Sequence, residues 1–211
     1  GVAPITLDSL TSGFNIGKDI TQDEDFNDMM GFTLKELVEI LDDQEIPKEK
    51  QEEILPIMKE NYDGYKFCLS AENHIYNSNM CLYFLSDYIR LKRIPDDLID
   101  MNIASDYSKV GKMLDLCKGE NRLEILRKTV QGEPITNEIV KKFNPAIEFT
   151  EVDMISMLYY LGYLTISRDL AGIPELVIPN KVMKEIYASY FMQLMSQEAE
   201  FRINNSTSVQ I

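Results

Sequence analysis

The stretch Asn61 to Leu85, NYDGYKFCLSAENHIYNSNMCLYFL, concentrates the most specific local signals of a 211-residue chain. It holds Asp63, Tyr65, Tyr76 and Asn77, the single histidine, His74, and two of the three cysteines, Cys68 and Cys81. A catalytic triad needs a nucleophile, a base and a third group that orients the base. One histidine beside a tyrosine offers little toward that. Cys68, Cys81 and Cys117 are odd in number and show neither CxxC nor Cys/His metal spacing, so reduced thiols are expected rather than disulfides or zinc ligands. The plainest role for the tyrosines is a hydrophobic knot whose hydroxyls are hydrogen-bonded at its edge.

The elements that must position these residues follow from local chemistry. Asp63-Gly64 stops a helix and starts a turn, because glycine tolerates positive φ and aspartate bonds its own backbone. Tyr65, Phe67 and Leu69 alternate with Lys66 and Cys68, and with His74 to Tyr76 they predict a small β-hairpin over residues 65–77. Asn77 or Ser78 then caps a helix whose apolar face carries Met80, Leu82, Tyr83, Phe84, Leu85 and Ile89.

YDGYKF followed by IYNSN resembles the YDGY and YN elements of the predicted AAA-ATPase-like family of bacterial P-loop proteins. GVAPITLDSLTSGFN, MMGFT at Met29 to Thr33, YYLGYLT and LVIPNK look like the same family in the same order, so the resemblance covers nearly the whole chain. It implies that Gly1 to Leu7 is the end of the last strand of a nucleotide-binding core, leaving through the turn Leu10 to Asn15. It also implies ATP and magnesium as cofactors of the parent protein, with Asp8, Thr11, Ser12, Asn15, Asp63, Tyr65 and Asn77 as candidate cofactor-binding residues. A structural role in turns and caps is the competing reading of all seven. Nothing in the chain resembles GxxxxGK[ST], and no apolar strand ends in an aspartate for magnesium, so this chain alone is not expected to hydrolyse ATP. The implied partners are the nucleotide-binding core and, as in several members of the family, a restriction-endonuclease-like C-terminal domain.

With 45% hydrophobic and 27% charged residues, and no apolar run long enough for a membrane span, the chain reads as an ordinary globular protein for which the cytoplasm is the default. Its net charge of −14 opposes general binding to nucleic acid or an anionic membrane. The acidity is uneven. Residues 19–60 hold fourteen Asp or Glu against four Lys, which reads as a solvated face on two helices.

The expected fold is mainly α: a remnant of the core over 1–18, a helical lid over 19–117, a winged helix-turn-helix over 118–196 and a flexible polar tail over 197–211. In the lid, Thr33 and Glu36 form a capping box, and Leu34, Leu37, Val38, Ile40 and Leu41 mark the buried stripe of the helix that follows. A second helix starts near Pro47 and is expected to kink or split at Pro56. Asp106 to Cys117 and Asn121 to Val130 are expected helices, Pro134-Ile135 a short extended piece, and Thr136 the cap of a helix through Phe143. Thr150 caps Glu151 to Leu161, Gly162 ends it, and strands at Tyr163 to Ser167 and Glu175 to Ile178 complete the wing. A final helix after Asn180 carries paired apolar residues from Val182 to Met195 at a four-residue period.

A winged helix invites a DNA-binding reading. Its groove-facing helix, Glu151 to Leu161, carries two carboxylates and no Lys or Arg, which opposes phosphate contact. Three functions remain: a lid and winged-helix fragment that senses or relays the state of a nucleotide core, a winged-helix nucleic-acid adaptor, and a helical protein-interaction module unrelated to nucleotide.

Overall fold

Helix starts are where sequence and structure meet most closely. In the computed structural model, which describes residues 20, 22–99, 121–141, 143 and 149–208, a 3-10 helix spans Glu24–Met30 and leads into α1, Leu34–Asp43. Thr33 Oγ1 accepts the Glu36 N–H at 3.2 Å, and the Glu36 carboxylate accepts the Thr33 N–H at 2.8 Å, so two of the donors at the helix start are satisfied reciprocally. Leu37 and Leu41 are buried, while Leu34, expected in the same stripe, is 50% exposed. Gln51 closes the next turn by donating to the Asp42 carboxylate and the Ile46 carbonyl.

α2, Lys48–Tyr62, begins after Pro47 and runs through Pro56 as one helix. The expected split does not occur. Pro56 and Glu52 both lie on the exposed side, so the carbonyl that proline leaves unpaired faces solvent while Ile54, Met58 and Tyr62 stay packed on the other side. Asp63 ends the helix, and Gly64 follows at φ +102°.

The hairpin expected over 65–77 is reduced to one isolated bridge, Tyr65 with Ile75, and Tyr76 bridges instead to Phe32. Side chains have taken the donors that a second strand would need. The Lys66 N–H donates to Thr165 Oγ1 at 2.7 Å, and the Phe67 N–H donates to Asn27 Oδ1 at 2.9 Å. Asn77 then caps α3, Ser78–Leu91, accepting the Met80 N–H at 3.1 Å.

The second half opens with α4, Asn121–Gln131, and a three-stranded antiparallel sheet of order β1-β3-β2. These strands are β1 (Ile135–Thr136), β2 (Thr165–Leu170) and β3 (Ile173–Val177). Ala171 and Gly172 both take positive φ in the turn between β2 and β3, and the Asp169 carboxylate accepts the Gly172 N–H at 2.6 Å. α5, Glu151–Tyr160, starts with the expected box between Thr150 and Asp153 and ends at Gly162, φ +78°.

The helix expected from Thr136 to Phe143 is absent from its described residues. The Asn137 N–H continues the sheet edge by donating to the Pro174 carbonyl, and the Val140 N–H donates to Ser156 Oγ at 3.0 Å. Both bonds replace those of a helical turn. The expected helix Asp106 to Cys117 lies outside the described residues.

α6, Lys181–Ser208, runs on through residues whose polar composition reads as a flexible tail. Most of its four-residue stripe is core: Val182, Met183, Ile186, Tyr187, Tyr190 and Leu194 are buried, while Phe191 is half-buried and Met195 is 45% exposed. One apolar cluster joins them to Leu37 and Leu41 of α1, Met58 and Tyr62 of α2, Phe84 of α3, Leu126 of α4 and Leu158 of α5. Among the described residues no helix is long and apolar enough to cross a membrane.

Candidate functional site

Three of the seven residues singled out from the sequence come together, at the point where α2, α3 and α6 meet. Asp63 ends α2, Tyr65 follows the Gly64 turn, and Asn77 caps α3 while its own N–H donates to the Tyr62 carbonyl at 2.9 Å. Asp8, Thr11, Ser12 and Asn15 lie outside the described residues. The fourth contributor comes from far along the chain. Asn180 Nδ2 donates to the Asp63 carbonyl at 3.0 Å, and its Oδ1 accepts the Met183 N–H at 3.1 Å, capping α6. One side chain therefore starts one helix and ties it to the end of another.

The packing at this joint leaves no room for a side chain on Gly64. A β-carbon there would stand 2.1 Å from the Pro179 carbonyl oxygen. Tyr65 is buried and stacks on Phe67, which in turn contacts Tyr159, and the Tyr159 hydroxyl donates to the Phe67 carbonyl at 2.9 Å. The Tyr65 hydroxyl lies beside the carboxamides of Asn77 and Asn180 without hydrogen-bonding geometry to either.

Burial sets the electrostatics. It pushes the Tyr65 and Tyr76 hydroxyls and the Cys81 thiol each up to about 12, and the Asp63 carboxylate adds to the effect on Tyr76 and Cys81. Tyr187 is raised well above the ordinary tyrosine value by burial, then by its neighbours Tyr163 and Tyr65. All four groups are held neutral, which suits packing and hydrogen bonding rather than nucleophilic attack. His74 is exposed, and Cys68 and Cys81 are free, buried thiols. Among the described residues no three of His, Cys, Asp and Glu gather as a metal centre.

A pocket of about 140 Å³ opens beside Tyr65, walled by Phe67, Tyr76 and Tyr160 and floored by Asn77 and Ser78 at the start of α3. No Lys or Arg lines it, and small-molecule sites run from roughly 300 Å³ upward, so these residues do not fit a nucleoside triphosphate. Their geometry is that of a structural joint.

Asn180, Tyr187 and Thr165 belong to this joint and are not legible as such from the sequence, where Asn180 reads as the residue before a helix and as part of LVIPNK. Their partners lie about a hundred residues or more away, as the Lys66–Thr165 and Asp63–Asn180 bonds show. Comparison of the chain with protein-family models, with curated proteins and with solved structures finds no match.

Proposed function

We propose that this chain is a relay module, the helical and winged-helix part of a P-loop ATPase-like protein, which carries the nucleotide state of a separate core to a protein surface and hydrolyses nothing itself. The observation that carries the reading is the Asp63–Asn180 joint. A displacement of the α2 end or of the bridged segment at Tyr65 and Tyr76 is coupled through it to the first turn of α6, whose buried stripe runs through the core of the second half. YDGY, YN and LVIPNK, three of the sequence elements that carry the resemblance to the AAA-ATPase-like family, meet there, and this agreement supports the assignment.

The order α4, β1, α5, β2, β3, with β1 and β2 flanking β3, supports a winged-helix reading of the second half, with an irregular segment over 137–140 where the middle helix is expected. A nucleic-acid adaptor is disfavoured by α5 itself. Residues 154–159 are buried without interruption, and the outward positions at its start are Glu151, Val152 and Asp153. A helix that is core on nearly every side and acidic at its open end cannot enter a major groove and attract phosphates.

The test is hydrogen exchange on the natural full-length protein with a non-hydrolysable ATP analogue and with ADP. The relay reading expects protection around Asp63, Asn77 and the start of α6 to differ between the two nucleotides. Identical exchange there, or a full-length gene product without a nucleotide-binding core, rejects it.

A further inference from the structure

The 3-10 helix Glu24–Met30 buries one residue, and that residue is polar: Asn27. Asn27 Oδ1 accepts the Phe67 N–H at 2.9 Å, and Nδ2 donates to the Asn73 carbonyl at 3.4 Å, so one side chain ties both ends of the 67–73 turn. Within that turn, Ser70 Oγ donates to the Glu24 carboxylate at 2.9 Å. Just past the helix the attachment changes in kind. Phe32 packs on the apolar cluster and exchanges two backbone bonds with Tyr76. Gly31 lies so close to that pairing that a β-carbon on it would stand 2.2 Å from the Tyr76 carbonyl oxygen.

We propose that Glu24–Met30 is a releasable strap, which lets go of the 67–73 turn as one unit while the Phe32–Tyr76 pairing beyond it stays closed. Seven residues is a long run for a 3-10 helix, whose hydrogen-bond geometry is poorer than that of an α-helix. None of its apolar side chains belongs to the core cluster, so release uncovers little apolar surface. Segments with few buried apolar contacts are the ones that open locally below the global unfolding free energy. The ties given up are hydrogen bonds, each of small net worth because water replaces the partner. Phe67 is half-buried and Asn73 exposed, so water reaches both once Asn27 leaves. The Asn27 amide keeps a partner within the strap, since Nδ2 also donates to the Asp28 carboxylate at 2.9 Å. Closed, the strap fixes residues 67–73 and with them the stretch between Tyr65 and Tyr76 that meets the joint. Open, it leaves that stretch held only at its two ends. The release is a property of this chain and does not rest on the relay reading.

Native-state hydrogen exchange of wild type, Asn27→Ala and Ser70→Ala tests it at four amides. Phe26 bonds to the Asp23 carbonyl within the strap, Phe67 bonds to Asn27 across it, and Phe32 and Tyr76 bond to each other beyond it. In wild type, Phe26 and Phe67 are expected to share one opening, more frequent than that of Phe32 and Tyr76. Asn27→Ala is expected to speed exchange at Phe26 about fivefold or more, although Phe26 makes no bond to that side chain. Ser70→Ala is expected to speed it less, and Phe32 and Tyr76 keep their wild-type rates in both variants. Phe26 and Phe67 opening separately overturns the proposal, as does a strap that opens only together with Phe32 and Tyr76, or a Phe26 rate that Asn27→Ala does not move. An Asn27→Ala chain that does not fold also overturns it, because a strap that releases from the native state is not required to hold that state together.

Discussion

Gly64 and Pro179, more than a hundred residues apart, meet so closely that the glycine hydrogen faces the Pro179 carbonyl where a β-carbon would stand 2.1 Å from the oxygen. Gly64 also has φ +102°, a backbone conformation that L side chains rarely adopt. Gly64→Ala is therefore expected to lose more than ~1 kcal/mol of stability. Gly132→Ala separates the two causes, because Gly132 has φ +77° and nothing within 4 Å of a β-carbon. It is expected to show the conformational cost alone, about 1 kcal/mol. Urea denaturation of both variants checks the order, and equal losses would remove the close approach from the account.

Asn180 makes two bonds of different kinds, and substitution can separate them. Asn180→Ala is expected to lose both the α6 cap and the bond to the Asp63 carbonyl, about 2 kcal/mol in all. Asn180→Ser keeps a capping oxygen and loses the reach to Asp63, so it should fall between wild type and Asn180→Ala. Equilibrium denaturation measures the series. A serine variant as stable as wild type would show that the long-range bond contributes nothing.

The buried hydroxyls and thiol give the chain an alkaline limit. Tyr65, Tyr76 and Cys81 are each pushed up to about 12 by burial, while an unfolded chain releases the same protons at roughly 10 for tyrosine and 8.5 for cysteine. Each folded value lies above its unfolded value, so this stability is complete below the unfolded values and is lost as pH rises toward about 12. The denaturation midpoint is expected to fall over that range, with tyrosinate absorbance appearing together with unfolding. Free titration of all tyrosines near ~10 in a folded chain would contradict the burial.

Glu151 and Asp153 test the nucleic-acid reading. Asp153 closes the capping box with Thr150, its carboxylate accepting the Thr150 N–H at 2.9 Å, and both acids lie in the first turn of α5. Replacing both by Gln is expected to cost a few tenths to about 1 kcal/mol and to leave duplex binding negligible at physiological salt. Fluorescence anisotropy with labelled duplex checks this. Sub-micromolar binding by the wild-type chain would reverse the preference for protein contacts.

Much of the helical framework was legible because caps are local. The boxes at Thr33–Glu36 and Thr150–Asp153, the Asn77 cap and the Gly64 and Gly162 stops each depend on residues within one turn. The hairpin over 65–77 and the helix from Thr136 were misread for one shared reason. Their backbone donors are taken by Thr165, Asn27, Pro174 and Ser156, partners that no local pattern exposes. Pro56 does not split α2, since its proline penalty is met by exposure on one side and a packed core on the other. Of the candidate site, Asp63, Tyr65 and Asn77 were found through turn and cap chemistry, whereas Asn180 and Tyr187 required the fold.

The central claim is that the joint makes the α2 end, the Tyr65–Asn77 segment and the α6 start open as one unit. Native-state hydrogen exchange of wild type and Asn180→Ser measures it most directly, at the amides of Asp63, Asn77, Met183 and Lys184, all hydrogen-bonded at or beside the joint. The account predicts a common opening free energy at the four amides and an equal drop at all four in the variant. Protection lost only at Met183 and Lys184, with Asp63 and Asn77 unchanged, would contradict it.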